Sequence, residues 1–92
     1  MIAMFPTQID GADVLFYTDY GDYGCVLYTT GEIADNIHYY CIAQYKGEES
    51  YYLFGCDSGY EVVCDSLWGS IEMCRHIVKQ NGYHPIWHAV HQ

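Results

Sequence analysis

The chain has 92 residues, enough for one domain with a modest core. Twelve Asp and Glu face three Lys and Arg, a net charge of −9, and the first 45 residues hold none of the three bases (Lys46, Arg75, Lys79). That balance repels nucleic acid and anionic lipid, whose binding depends on neutralising phosphates, and favours a basic protein as partner.

The opening stretch MIAMFPTQID has no cationic start and no long apolar run, so no signal peptide is expected. No segment approaches the roughly 20 apolar residues of a membrane span. Five Cys (Cys25, Cys41, Cys56, Cys64, Cys74) give an odd count at wide spacing. Disulfide scaffolds are usually even and tightly spaced, so these are read as reduced thiols, mostly buried, in a cytoplasmic protein.

Asp13–Asp19 (DVLFYTD) and Tyr23–Thr30 (YGCVLYTT) are rich in aromatic and β-branched residues and are read as strands. Between them lies TDYGDYG, Thr18 to Gly24. A phosphate cradle would lead into a helix, usually with a Lys, and this stretch leads into a strand with two negative charges. A calcium loop of the EF-hand kind needs acids at alternate positions and flanking helices, which are missing. A hairpin turn remains, with glycines supplying positive φ.

Ile37–Tyr45 is a longer strand, Lys46–Ser50 a turn and Tyr51–Cys56 the next strand. Asp57–Gly59 is a tight turn before a strand over Tyr60–Asp65. Alternation there puts Tyr60, Val62 and Cys64 on one face and Glu61, Val63 and Asp65 on the other. Ser70 as N-cap with Glu72 in the first turn starts a helix within about Leu67–Asn81. Ile71, Met73, Cys74, Ile77 and Val78 form its apolar arc, and Glu72, Arg75, His76, Lys79 and Gln80 its wet face. Gly82 is the stop, and Pro85–Val90 a last strand. The expected fold is α+β, a single domain with an antiparallel sheet of five to six strands and one main amphipathic helix packed on one face.

Chemistry-bearing patterns are sparse. There is no C-x-x-C knuckle. His84, His88 and His91 would chelate on a helix, but around Pro85 and Trp87 they read as a strand, where positions four apart are roughly 13 Å distant. Cys74 and His76, and Cys41 and His38, fall on opposite faces of their elements, so no nucleophile–base pair is expected. No catalytic residue, metal site or cofactor is assigned. Eleven Tyr are more than a small core needs, and the pairs Tyr39–Tyr40 and Tyr51–Tyr52 must point to both faces of the sheet. With the helix on one face, exposed Tyr beside Asp and Glu is expected on the other, as at protein interfaces.

The stretch YYLFGCDSGYEVVCDSLWGSIEMCRHIVKQ, Tyr51 to Gln80, resembles a strand–turn–strand–helix order that recurs in small acidic immunity proteins of toxin–immunity pairs and in phage anti-defence inhibitors, including anti-CRISPR proteins. The resemblance implies a stoichiometric inhibitor acting in a bacterial cell or a phage-infected host. Together with the charge, it leads to an expected non-catalytic protein that blocks a basic surface of a nuclease or nucleic-acid-binding defence complex. It would make no direct contact with nucleic acid or membrane. The residues assigned to partner binding are Asp19, Tyr20, Asp22 and Tyr23 at the first hairpin and Glu48 and Glu49 at the second. A small Cys/His metal protein or enzyme, and a structural domain that self-associates as a homodimer, are the alternatives.

Overall fold

The computed structural model describes residues 5–90. In chain order the elements are β1 (Gln8–Ile9), β2 (Ala12–Thr18), β3 (Cys25–Leu27), β4 (Ile33–Asn36), β5 (Tyr39–Gln44), β6 (Tyr51–Cys56), β7 (Val62–Trp68), α1 (Ile71–Gln80) and β8 (Trp87–Ala89). The fold is α+β. A curled antiparallel sheet runs β1–β2–β5–β6–β7, and β8 pairs with the far end of β2, beside β1. β3 and β4 form a separate two-stranded ribbon.

The central strand is β5, whose Tyr40, Cys41, Ile42 and Ala43 are all buried. This explains a departure from expectation. The segments flanking Asp19–Gly24 do not pair as a hairpin, because β2 pairs with β5, from Asp13 opposite Gln44 to Tyr17 opposite Cys41. A Gly-rich loop is a local signal, whereas pairing follows the apolar area that it buries. β3 has three residues, two of them exposed, and cannot compete with β5. Its partner β4, unforeseen in the sequence, carries one apolar position followed by Ala, Asp and Asn.

Two bulges set which side chains face the helix. In β2 the register shifts between Val14 and Phe16, so Val14 and Tyr17 face one side and Phe16 the other. A second shift, at Gly55/Cys56, places Val63 and Cys64 together on the helix side and leaves Val62 on the opposite one. The simple alternation expected over Tyr60–Asp65 is broken there. Tyr60 lies outside β7, at φ 67°, in a turn closed by Asp57 Oδ1, which accepts from the Gly59 and Glu61 amides.

The helix-side core joins Ile37, Tyr40, Ile42 and Leu53 to Cys74 and Val78. Ser70 caps α1, its Oγ accepting from the Met73 amide at 3.0 Å. At the other end the Gly82 and Tyr83 amides donate to the Lys79 and Val78 carbonyls, a Schellman closure. Cys74 and Val78 are fully buried, Ile71 and Ile77 half-buried, and Met73 is largely exposed. Arg75, assigned by periodicity to the wet face, is instead half-buried, its guanidinium 4.7 Å from the centre of the Phe16 ring and 5.7 Å from Trp87.

The opposite face is not a bare surface of tyrosines. It holds a second core of Phe5, Ile9, Ala12, Val14, Cys41, Ala43, Phe54 and Cys56. Curling of the sheet brings half-buried Tyr17, Tyr39, Tyr52 and Tyr60 around it. Among the described residues only Tyr20 and Tyr28 are exposed tyrosines. All five thiols are free, with Cys41, Cys56 and Cys74 buried. Burial pushes the Cys74 thiol up to about 11, and a hydrogen bond with Cys56 together with burial pushes Cys41 up strongly, so both stay protonated.

Gly55 reaches this packing without room for a side chain. A Cβ there would sit 2.5 Å from Cys64 Sγ and 3.4 Å from Ile37. Gly55→Ala is expected to cost about 1–3 kcal/mol in urea unfolding, as overpacking does. Adding Cys64→Ala should recover part of that loss. Equal, additive losses would show that the contact is not the cause.

Candidate partner-binding surface

The loop Asp19–Gly24 follows Thr18, the one buried polar residue among those described, whose Oγ1 accepts from the Tyr40 amide at 3.0 Å. That bond ends the β2–β5 ladder and lets the chain turn away. The loop then runs beside residues 37 and 38. Gly21 N–H donates to the His38 carbonyl, Tyr23 N–H to the Ile37 carbonyl, and Ile37 N–H to the Gly24 carbonyl, each at 2.9 Å. Of the two loop glycines expected at positive φ, Gly24 is in the left-handed region at φ 92° and Gly21 is not.

The two tyrosines of the loop go to different faces of the sheet. Tyr20 lies flat on His38, with ring centres 4.6 Å apart, and its edge meets Tyr39. Tyr23 turns to the helix side against Tyr40 and Tyr83, and its hydroxyl donates to the Asp19 carbonyl. The pair therefore straps the loop to both faces of the sheet. Tyr23 is half-buried and holds the loop in place, whereas Tyr20, at 59% exposure, remains available to a partner.

Asp19 and Asp22 are exposed. Asp19 Oδ1 meets His88 Nε2 at 2.6 Å, and Asp22 Oδ1 accepts from the Gly24 amide at 3.4 Å. The Asp19–His88 contact is solvent-exposed, of a kind that contributes at most about 1 kcal/mol. Glu48 and Glu49 are exposed too, but in the β5–β6 turn. The six residues of β5 separate that turn from the Asp19–Gly24 loop, roughly 20 Å at about 3.3 Å per residue. The six assigned residues thus form two groups at opposite ends of the strand.

Beside the loop lies an open cleft of about 280 Å³ lined by Phe5, Tyr17, Thr18, Asp19, Tyr20, Tyr39, Tyr60 and His88. It presents phenols, one carboxylate and one imidazole. Among the described residues no group of three or more His, Cys, Asp or Glu is placed to hold a metal ion. His91, one of the three C-terminal histidines, lies outside the described residues.

The ribbon was not legible in the sequence as a binding element. It springs from Gly24 and Ile37 and is anchored by Val26 in the helix-side core. Its outer side chains are Leu27 (56% exposed), Tyr28 (60%) and Ile33 (61%), beside exposed Glu32 and Asp35. Large apolar groups ringed by charge make up a common interface anatomy. The pattern L-Y-T-T-G-E-I carried the signal, a short turn between two apolar positions.

Ten of the twelve carboxylates are exposed and two are half-buried. Among the described residues the sole ion pair within 4.0 Å is Asp19–His88, so no carboxylate is neutralised by Lys or Arg. No helix among the described residues is long and apolar enough to cross a membrane. Comparison with protein-family models, with curated proteins and with solved structures found no match. The resemblance of Tyr51–Gln80 to small immunity and anti-defence proteins gains no support from those comparisons.

Burial, and after it the neighbouring Tyr60 hydroxyl, raises Tyr39 to about 12. The folded protein then keeps this proton where the unfolded chain, at about 10, has lost it. The contribution is intact below pH 10 and is lost as pH rises to 12. Denaturant unfolding across that window should show falling stability, with a shallower fall in Tyr39→Phe. An unchanged slope in the variant would place the effect elsewhere.

Proposed function

We propose that the protein is a non-catalytic inhibitor that binds a basic surface of a nuclease or nucleic-acid-binding defence complex, in the manner of immunity or anti-CRISPR proteins. It would occupy the place where that partner holds phosphates. The observation that carries this reading is the set of exposed carboxylates that no Lys or Arg among the described residues neutralises, four of which (Asp19, Asp22, Glu32, Asp35) are in or beside the loop and ribbon that present Tyr20, Leu27, Tyr28 and Ile33. Charge of this kind steers a cationic partner to the surface, and apolar anchors hold it there.

The two contributions separate kinetically. A partner is isolated by affinity capture on the wild-type protein from nuclease-treated bacterial lysate, and its binding is followed by surface plasmon resonance at low and high salt. Asp19→Asn with Asp22→Asn should leave the fold intact and slow association, with the loss shrinking as salt shortens the Debye length from about 10 Å at 0.1 M. Leu27→Ser with Ile33→Ser, at exposed sites, should change stability by about 0.5 kcal/mol or less. It should nevertheless raise the off-rate, by about 1–2 kcal/mol or more if the ribbon holds hot spots. Tyr20→Ala should act in the same way. Wild-type kinetics in all three variants, or a captured partner that is neither basic nor active on nucleic acid, would reject the reading.

A further inference from the structure

Independently of the acidic surface, the chain gathers most of its positive charge in one place. Arg75 and Lys79, two of the three Lys and Arg in the sequence, stand one helical turn apart on α1. With His84, Pro85 and Trp87 they line a pocket of about 230 Å³ between the helix and the segment that leads into β8. At about 30 Å³ per water, this is room for roughly seven waters, more than a single small ion needs.

Three features of this pocket are unusual for a chain of net charge −9. Like charges four apart on a helix repel each other, so the spacing costs stability rather than adding it. No carboxylate lies within 4.0 Å of either base among the described residues, although the chain has twelve. And Arg75 Nε is buried without a hydrogen-bond partner, while the Phe16 and Trp87 rings flank its guanidinium. The rings orient the guanidinium without supplying a hydrogen-bond acceptor.

A structural role accounts for part of this, since Lys79 near the helix end complements the dipole. That effect opposes about half a negative charge, and two full positive charges exceed it. The carbonyls of Ile77, Lys79 and Val78 moreover accept from the Asn81, Gly82 and Tyr83 amides, in that order. The nearest carboxylate on the helix is Glu72, which lines the adjoining surface with Arg75, His76 and Lys79, and it weakens the site without neutralising it.

We propose that this pocket binds a phosphate group, either free or as a small phosphomonoester, with Arg75 and Lys79 as its charged donors and His84 at its mouth. A guanidinium held in one orientation suits a tetrahedral oxyanion, and the ammonium adds a mobile point charge. The surrounding negative field limits affinity and makes binding sensitive to salt.

The full chain, labelled with nitrogen-15, is titrated with inorganic phosphate, with AMP and with adenosine at constant ionic strength, with sodium chloride as reference. The expected result is a saturable shift of the Trp87 indole N–H and of the Lys79 and His84 amides for phosphate or AMP, and none for adenosine. The stronger of the two responses tells a free phosphate from a phosphomonoester. Lys79→Gln should weaken binding about tenfold, the scale of one charge-assisted contact. Lys46→Gln, which removes the same charge from the distant β5–β6 turn, should leave it unchanged. Shifts that chloride or adenosine reproduces, equal weakening by both variants, or no saturable response to either phosphate would overturn the proposal.

Discussion

One strand buried on both faces decides the architecture. β5 sends Tyr40 and Ile42 toward the helix and Cys41 and Ala43 toward the curled side. A strand with no wet face must sit in the middle of a sheet with a layer on each side, so β2 and β6 flank it, and both cores follow. Its first paired amide is taken by the buried hydroxyl of Thr18 rather than by a backbone carbonyl. Leaving that amide without a partner would cost about 1–3 kcal/mol, so β2 ends where the hydroxyl can reach it. The chain must leave the sheet at that point, and the loop with Asp19, Tyr20 and Asp22 is the result.

What the sequence revealed and what it hid follow from range. Helix α1 was legible because its cap, its apolar arc and its stop all lie within a dozen residues: Ser70, Cys74 with Val78, and Gly82. β6 was legible because a polar turn punctuates each of its ends, Lys46–Ser50 with Gly47 before it and Asp57–Gly59 after it. The pairing of β2 with β5 was not, since it rests on contacts more than twenty residues apart, and the nearer Gly-rich loop offered a local alternative. The bulges at Leu15 and Val63 were hidden for the same reason, because an extra residue in one strand is visible only beside its partner. Of the assigned site, the exposure of Asp19, Tyr20 and Asp22 was legible from turn chemistry. Tyr23 was not, because nothing local distinguishes a tyrosine that straps a loop to the helix side from one that faces solvent. Arg75 was missed because periodicity assigns a charge to water, while two aromatic rings some distance along the chain hold it in place.

The tyrosines serve structure more than surface. Phe5 stacks on Tyr17 and meets the edges of Tyr39 and Tyr60, which closes the curled side without a second helix. With that face closed, Leu67, Met73 and Ile86 are exposed elsewhere, while the loop and ribbon still expose four large apolar groups, Tyr20 on the loop and Leu27, Tyr28 and Ile33 on the ribbon. They stand among carboxylates that no Lys or Arg within the described residues neutralises. In the proposed reading, recognition by charge and anchoring by a small apolar tip belong to neighbouring parts of one surface.

The central claim is that this surface takes the place of phosphates on a basic partner. The most direct measurement is a competition in which a fluorescently labelled oligonucleotide is bound to the captured partner and the protein is added while anisotropy is followed. The account predicts that anisotropy falls to the value of free oligonucleotide, with an end point at one protein per binding site. A stable ternary complex, with anisotropy unchanged or higher while the protein is bound, would contradict it.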